Sequence, residues 1–327
     1  MRALVTGATG FVGSAVARAL LAAGAEVRAL VRPESASPNL DGLPVEVARG
    51  DLTDPASLLR AAAGCDEVYH VAAHYFLWSR DSRDFYRVNV DGSRELVRAA
   101  AEAGARRIVY TSTVGTIGYP PDGRPGNEET PYELHQVKGH YKRSKYLAEK
   151  EILKLAAEGA PIVVVNPSAP MGPRDVKPTP TGKIVVDFAR GKMPAYLDTG
   201  LNVVHVDDVA AGHLLAAAKG RVGERYILGH ENLSLRQILE ILSEIAGRPA
   251  PRIRMPYWVA YAASLGSHAA AFVTRGEPAI PLDAVRLAGK KMFFDPSKAI
   301  RELGFSPRPA REALEDAYRW FAEHGYL

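Results

Sequence analysis

The chain has 327 residues, 47% hydrophobic and 24% charged, a composition that suits a globular protein and excludes a disordered one. Its length allows one large domain or two joined lobes. The net charge is +4 and the isoelectric point about 9.0, yet Lys and Arg are scattered with no basic stripe interleaved by aromatics, which argues against nucleic-acid binding.

In chain order, residues 2–6 are an apolar run ending in Gly7, and residues 11–23 carry an Ala/Leu/Val helical face. Strands are expected at 26–31, 45–48, 67–70, 107–111 and 162–166, and long helices at 85–103 and 138–157. Strands separated by helices predict βαβ units and a mostly parallel sheet. All-apolar strands such as 162–165 suit a sheet covered on both faces. After Asn166 the pattern changes. Pro167, Pro170, Pro173, Pro178 and Pro180 exclude a regular helix across them, and so long an irregular segment reads as a substrate loop or lid. Residues 200–327 mix short strands with helices and end in an amphipathic helix at 310–324.

Cys65 is the sole cysteine, so no internal disulfide or Cys-based metal site can form, which points to a reducing, cytoplasmic setting. The N-terminus runs straight into a strand, without the apolar stretch of a signal peptide. The 256–273 stretch falls short of a membrane span and suits at most contact with a membrane surface.

The first strand leads into Thr6-Gly7-Ala8-Thr9-Gly10-Phe11-Val12-Gly13. Glycines spaced GxxGxxG between a strand and a helix allow a tight turn, close approach of backbone N–H groups to a pyrophosphate, and close helix–sheet packing. The helix N-terminus then faces the phosphates. This predicts a Rossmann-type doubly wound α/β fold with a smaller C-terminal α/β lobe. The expected division is 1–169 for the dinucleotide, with 202–230 returning to it, and 170–201 with 231–327 for substrate. An NAD site ordinarily has an acid at the end of the second strand. Here Val31 occupies that place and Arg32 follows. Arg32 either pairs with a 2′-phosphate, which favours NADP with NAD as the lesser option, or is a solvated surface residue. Asp51 after the third strand is placed to accept from the adenine amino group, while Asp54 is better placed to cap the helix from Pro55.

Tyr141 and Lys145, four apart, share one helical face. A phenol titrates near pH 10, and a neighbouring ammonium is expected to lower that value. Tyr141 would then protonate a carbonyl oxygen as hydride arrives, or deprotonate an alcohol as hydride leaves. Lys145 would also hold the nicotinamide ribose. Ser112 and Thr113, at the end of the 107–111 strand, are both candidates for a hydroxyl on the same oxygen.

These residues resemble the extended short-chain dehydrogenase/reductases over essentially the whole chain. The matching motifs are TGATGFVG, GDLTD, His70-Val71-Ala72-Ala73, Asn89-Val90-Asp91-Gly92, Thr111-Ser112-Thr113, YKRSK, Asn166-Pro167-Ser168, His205-Val206-Asp207-Asp208-Val209 and Arg301-Glu302-Leu303-Gly304-Phe305. The resemblance implies Thr113 as the catalytic hydroxyl, Asp51 and Leu52 at the adenine, Ala72 against the cofactor, and Pro167 and Ser168 beside the nicotinamide. It also implies a homodimer built on the helices at 85–103 and 138–157. Within the family, the chain is similar to dihydroflavonol-4-reductase-like proteins and, more closely, to hopanoid-associated sugar epimerases. Well-understood sugar epimerases have an acid where this chain has Val31 and an aromatic where it has Ile117, differences that weigh against NAD preference and nucleotide-sugar chemistry.

Substrate contacts are expected from Tyr75 and Trp78 in an aromatic loop, and from Arg174 and Lys177 in the Pro-rich segment, where a phosphate or carboxylate would be met. His205, in an apolar run, reads as structural, and no His/Asp/Glu cluster has metal-ligand spacing. The leading function is hydride transfer between NADP(H) and a CH–OH/C=O centre of a small molecule. The alternatives are epimerisation through a transient ketone and a non-catalytic NADP-binding regulator. The absence of a GxxxxGK[ST] loop argues against a nucleoside-triphosphate hydrolase.

Overall fold

A computed structural model describes residues 1–75, 81–274 and 276–327. In chain order the first half consists of β1 (Arg2–Thr6), α1 (Phe11–Ala22), β2 (Glu26–Val31), β3 (Val45–Arg49), α2 (Pro55–Ala62), β4 (Glu67–His70), α3 (Arg83–Tyr86), α4 (Ser93–Glu102), β5 (Arg107–Thr111), α5 (His140–Ala157) and β6 (Ile162–Pro167). The second half consists of β7 (Ala169–Met171), α6 (Pro180–Ala189), β8 (Ala195–Leu197), β9 (Gly200–His205), α7 (Val206–Lys219), β10 (Arg225–Leu228), β11 (Glu231–Ser234), α8 (Leu235–Ala246), β12 (Ile253–Met255), α9 (Tyr257–Thr274), α10 (Leu282–Ala288), β13 (Lys291–Met292), α11 (Ser297–Leu303) and α12 (Ala310–Glu323).

Seven strands form one parallel sheet in the order β10-β6-β5-β4-β1-β2-β3. The alternation of side chains along each strand explains why inner strands such as β5 and β6 are apolar along most of their length, whereas the edge strand β3 carries Glu46 and Arg49. Ala3, Val5, Val109, Val163 and Val165 pack on the face covered by α1 and α7. Leu4, Ile108, Tyr110, Ile162 and Val164 pack on the opposite face, under α2, α4 and α5. The strand order reverses between β1 and β4, and the crevice beyond their carboxyl ends is where such sheets bind ligands.

A smaller sheet has β9 at its centre, paired with β11 on one side and with β7 and β13 on the other. Its core joins α6, α8 and α12. Thus β9 lies in the second sheet, whereas α7 packs on α1 and β10 joins the first. Pro180 occupies the first turn of α6, where its missing N–H costs nothing, and Thr179 caps that helix by accepting from Gly182 N–H.

The long helix expected at 85–103 is interrupted. Arg87–Gly92 is a π-helical segment between α3 and α4. A Cβ on Gly92 would lie 2.9 Å from the Leu52 Cβ, so the bulge presses against the segment after β3. π-Bulges of this kind often accompany functional sites.

Candidate active site

The glycine loop closes on itself and on β4. Gly7 has φ +71°, and a Cβ there would meet the Ala72 nitrogen at 2.7 Å. Gly10 N–H donates to the Gly7 carbonyl at 2.9 Å, and a Cβ on Gly13 would lie 2.1 Å from that same oxygen. The N-cap of α1 is Gly10, with no capping side chain and no acid in the first turn, leaving the Phe11 and Val12 end of the helix to an anion. Thr9 is half-buried, and its carbonyl accepts from Asn39 Nδ2 at 3.3 Å. This cradle fits a dinucleotide pyrophosphate.

Val31 is 2% exposed and packs in the core, so its side chain does not face a ribose. Arg32 is exposed at the end of β2. Asp51 accepts from Thr53 N–H and Oγ1 at 2.8 and 2.6 Å, and Leu52 is buried beside it. Asp54 does stand at the N-cap of α2 but makes no side-chain cap bond.

At the end of β5, Thr113 Oγ1 accepts from Gly115 N–H at 3.1 Å and caps a short 3₁₀ turn, Val114–Thr116. The Ser112 hydroxyl is buried without a hydrogen-bond partner among the described residues. Lys145 is 2% exposed, and its Nζ donates to the Thr111 carbonyl at 2.7 Å and to the Tyr110 hydroxyl at 3.0 Å. Burial draws this ammonium down to about 7, with Glu149 pulling the other way. Tyr141, one turn earlier on α5, is half-buried and meets the Tyr75 ring edge-on at 4.9 Å. Burial raises its phenol well above the ordinary value, and Tyr75 and Tyr110 add to the rise. The expected lowering by Lys145 is therefore reversed. The lysine spends its hydrogen bonds on Tyr110 and Thr111, and desolvation of the phenolate dominates.

Two buried networks hold this pair, and neither was visible in the motifs. In the first, Asn166 Nδ2 lies 3.0 Å from the Thr113 carbonyl and 2.7 Å from Glu149 Oε2. Thr116 Oγ1 lies within hydrogen-bond distance of the same two groups, and Arg225 donates to Glu149 Oε1 at 3.0 Å. In the second, Ala72 N–H donates to Thr6 Oγ1 at 3.1 Å, and Thr6 Oγ1 lies 2.8 Å from His70 Nδ1. His70 Nε2 is 2.8 Å from Ser93 Oγ, and Ser93 bonds the Tyr110 phenol. Burial, then Lys145, hold His70 neutral, down to about 3. This chain joins the loop beside Gly7 to Lys145. Asn89, in the π segment, accepts from His74 N–H at 2.7 Å and donates to Ser144 Oγ at 2.9 Å, tying the loop after β4 to α5. The one sequence signal was position: Glu149 lies one turn beyond Lys145, and Asn166 opens Asn-Pro-Ser.

Pro167 is buried at the end of β6, and Ser168 N–H donates to the Leu228 carbonyl at 3.1 Å. Of the expected substrate contacts, Tyr75 is brought to Tyr141, and Trp78 lies outside the described residues. Arg174 has φ +74°, pairs with Asp207, and gives its carbonyl to Asn39 Nδ2, the amide that also bonds Thr9. It therefore lies on the phosphate-loop side. Lys177 is exposed. His205 is buried, accepts from Asp207 N–H at 3.0 Å and lies 3.2 Å from Asp316 Oδ2, partners that suit a structural histidine.

The model of the NAD dependent epimerase/dehydratase family matches residues 3–229. A "Putative dihydroflavonol 4-reductase" of Synechocystis sp. is 46% identical, over 99% of this chain and 95% of that one. "Sterol demethylase protein B" of Methylococcus capsulatus is 38% identical over the full length of both. The crystal structure of gox2253 is 48% identical, covers 99% of each chain and superposes with a TM-score of 0.89.

Proposed function

Because the chain belongs to the NAD dependent epimerase/dehydratase family of extended short-chain dehydrogenase/reductases, and is one of its NAD(P)-dependent oxidoreductase enzymes, we propose that Tyr141, Lys145 and Thr113 carry its chemistry on a small-molecule carbonyl. What supports this is the fastening of Lys145 to the Thr111 carbonyl, which ties the helix that carries Tyr141 to the end of β5, just before Thr113. A nicotinamide dinucleotide, when bound, supplies or accepts hydride. Gly7, Thr9, Gly10, Phe11 and Val12 hold its pyrophosphate, Asp51 and Leu52 its adenine, and Ala72, Pro167 and Ser168 line its path. Lys145 holds the ribose. Thr113 and Tyr141 bind the substrate oxygen, and Tyr141 passes its phenolic proton to that oxygen as the carbon becomes CH–OH. At neutral pH the phenol is protonated, the state from which it can give a proton to that oxygen.

Within this reading the cofactor is NADP, held through Arg32. Residues 1–169 with 202–230 serve the cofactor, and 170–201 with 231–327 serve the substrate. Tyr75, whose ring meets Tyr141, faces the substrate. The enzyme works in the cytoplasm as a homodimer through α4 and α5. The relatives named for a dihydroflavonol and a sterol support a polycyclic, largely apolar substrate.

The test is turnover of NADPH with such ketones. Tyr141→Phe should lower turnover by about 10²–10⁴-fold while cofactor binding persists. Undiminished turnover would remove Tyr141 from the chemistry. Product formed without net NADPH consumption would instead assign the same residues to epimerisation through a transient ketone.

A further inference from the structure

Helix α9 (Tyr257–Thr274) contains no Asp, Glu, Lys or Arg. It packs chiefly on α10, and three of its polar side chains bond the start of that helix and the residues just before it. Ser264 Oγ donates to the Ile280 carbonyl at 3.0 Å, Ser267 Oγ accepts from Ile280 N–H at 3.0 Å, and His268 Nε2 accepts from Leu282 N–H at 3.1 Å. The opposite face is apolar and exposed. Trp258, Ala262, Leu265, Ala269 and Phe272 follow one another at steps of four, three, four and three, so they form one stripe along the helix. Trp258 is 71% exposed and Phe272 87%. Ile253, just before the helix, adds to the patch.

The charge of the segment that carries this stripe is one-sided. Residues 248–291 hold seven Lys and Arg against two Asp and Glu, whereas the rest of the chain holds 34 and 35. The net positive charge of the protein thus resides in the segment that carries α9. Arg254 and Lys291 meet at Asp198, and the Tyr257 ring lies against Gly289, so Arg254 and Lys291 gather near the first turn of α9, while Lys290 turns its Nζ over the Tyr119 ring.

We propose that this face docks on an anionic lipid surface, with α9 lying in the interface plane. Trp258, Leu265 and Phe272 would enter the acyl boundary while Arg252, Arg254 and Lys291 meet lipid phosphates. The helix lies on the bilayer and does not cross it, since no helix among the described residues is long and apolar enough for a span. A second copy of this chain is the weaker occupant. A twofold contact sets the same patch against itself, and the basic cluster would face its own like charge.

The experiment is co-sedimentation of the full chain with phosphatidylcholine vesicles, with and without phosphatidylglycerol. We expect binding to the anionic vesicles, weakened by salt, and reduced about tenfold or more by Leu265→Ser with Phe272→Ser. Arg252→Glu with Arg254→Glu should reduce it without touching the stripe. Thermal melts confirm that the variants fold. Absence of wild-type binding, or binding unchanged by both double variants, overturns the proposal. So does a wild-type dimer that Leu265→Ser with Phe272→Ser converts to monomer, which would give the stripe to a second copy.

Discussion

The side chains of Val31 and Arg32 divide the cofactor question between them. A carboxylate in place of Val31 would be buried in the core of the sheet, where an unpaired charge is costly, so the position does not serve a ribose. The exposed Arg32 guanidinium can meet a 2′-phosphate in solvent-accessible geometry. A hydrogen bond to a charged group contributes about 1.5–3 kcal/mol, so Arg32→Ala should weaken NADPH binding by about tenfold or more and leave NADH unchanged. Isothermal titration with each cofactor measures this: an equal loss for both would refute the 2′-phosphate role, and no loss for either would return Arg32 to the solvated surface. The order Val31-Arg32 was legible in the sequence. That Val31 points inward was not, because direction depends on the register of β2 between β1 and β3.

At the scale of elements, α5 is joined to β5 by more than apolar packing. Lys145 crosses from the helix to the Tyr110 hydroxyl and the Thr111 carbonyl, and Tyr110 continues through Ser93 and His70 to Thr6 at the end of β1. Tyr110→Phe keeps the ring in the core and removes one acceptor from the ammonium. The charged lysine is then less favoured, and the limb of the pH–rate profile set by Lys145 should move to lower pH by about one unit. A purely packing role for Tyr110 would leave that limb in place. YxxxK announced the helix and its two residues. The partner on β5 could not be read, since Tyr110 lies in a strand that reads only as apolar and β-branched.

For the whole molecule, burying Lys145 has a consequence for stability. Its folded value, about 7, lies below the value near 10.4 of an unfolded lysine. Between these the unfolded chain binds a proton that the native chain does not, so stability rises with pH across that window. The cost of burial is present in full below about pH 7 and recedes above it. Lys145→Met removes this term, so the wild type should gain melting temperature relative to the variant between pH 6 and pH 9. Parallel curves for the two proteins would show that the lysine is not the source.

The sequence by itself determined the βαβ alternation, the glycine loop after β1 and the YxxxK face, because each is a local pattern whose physics acts within one or two elements. It also placed the strands of the first half to within a residue at most of their observed ends. The π-helical break at Arg87–Gly92 escaped it, since the bulge arises where Gly92 meets Leu52, 40 positions away in the chain. Only the tertiary structure decided that Asn166, Glu149 and Arg225 hold the Thr113 turn, and that Asn39 links Thr9 to Arg174. It also reversed the expected direction for Tyr141. The physical reason is common to all three. Hydrogen-bond partners and desolvation depend on which atoms fill the space around a group, and in a doubly wound sheet those atoms come from distant parts of the chain.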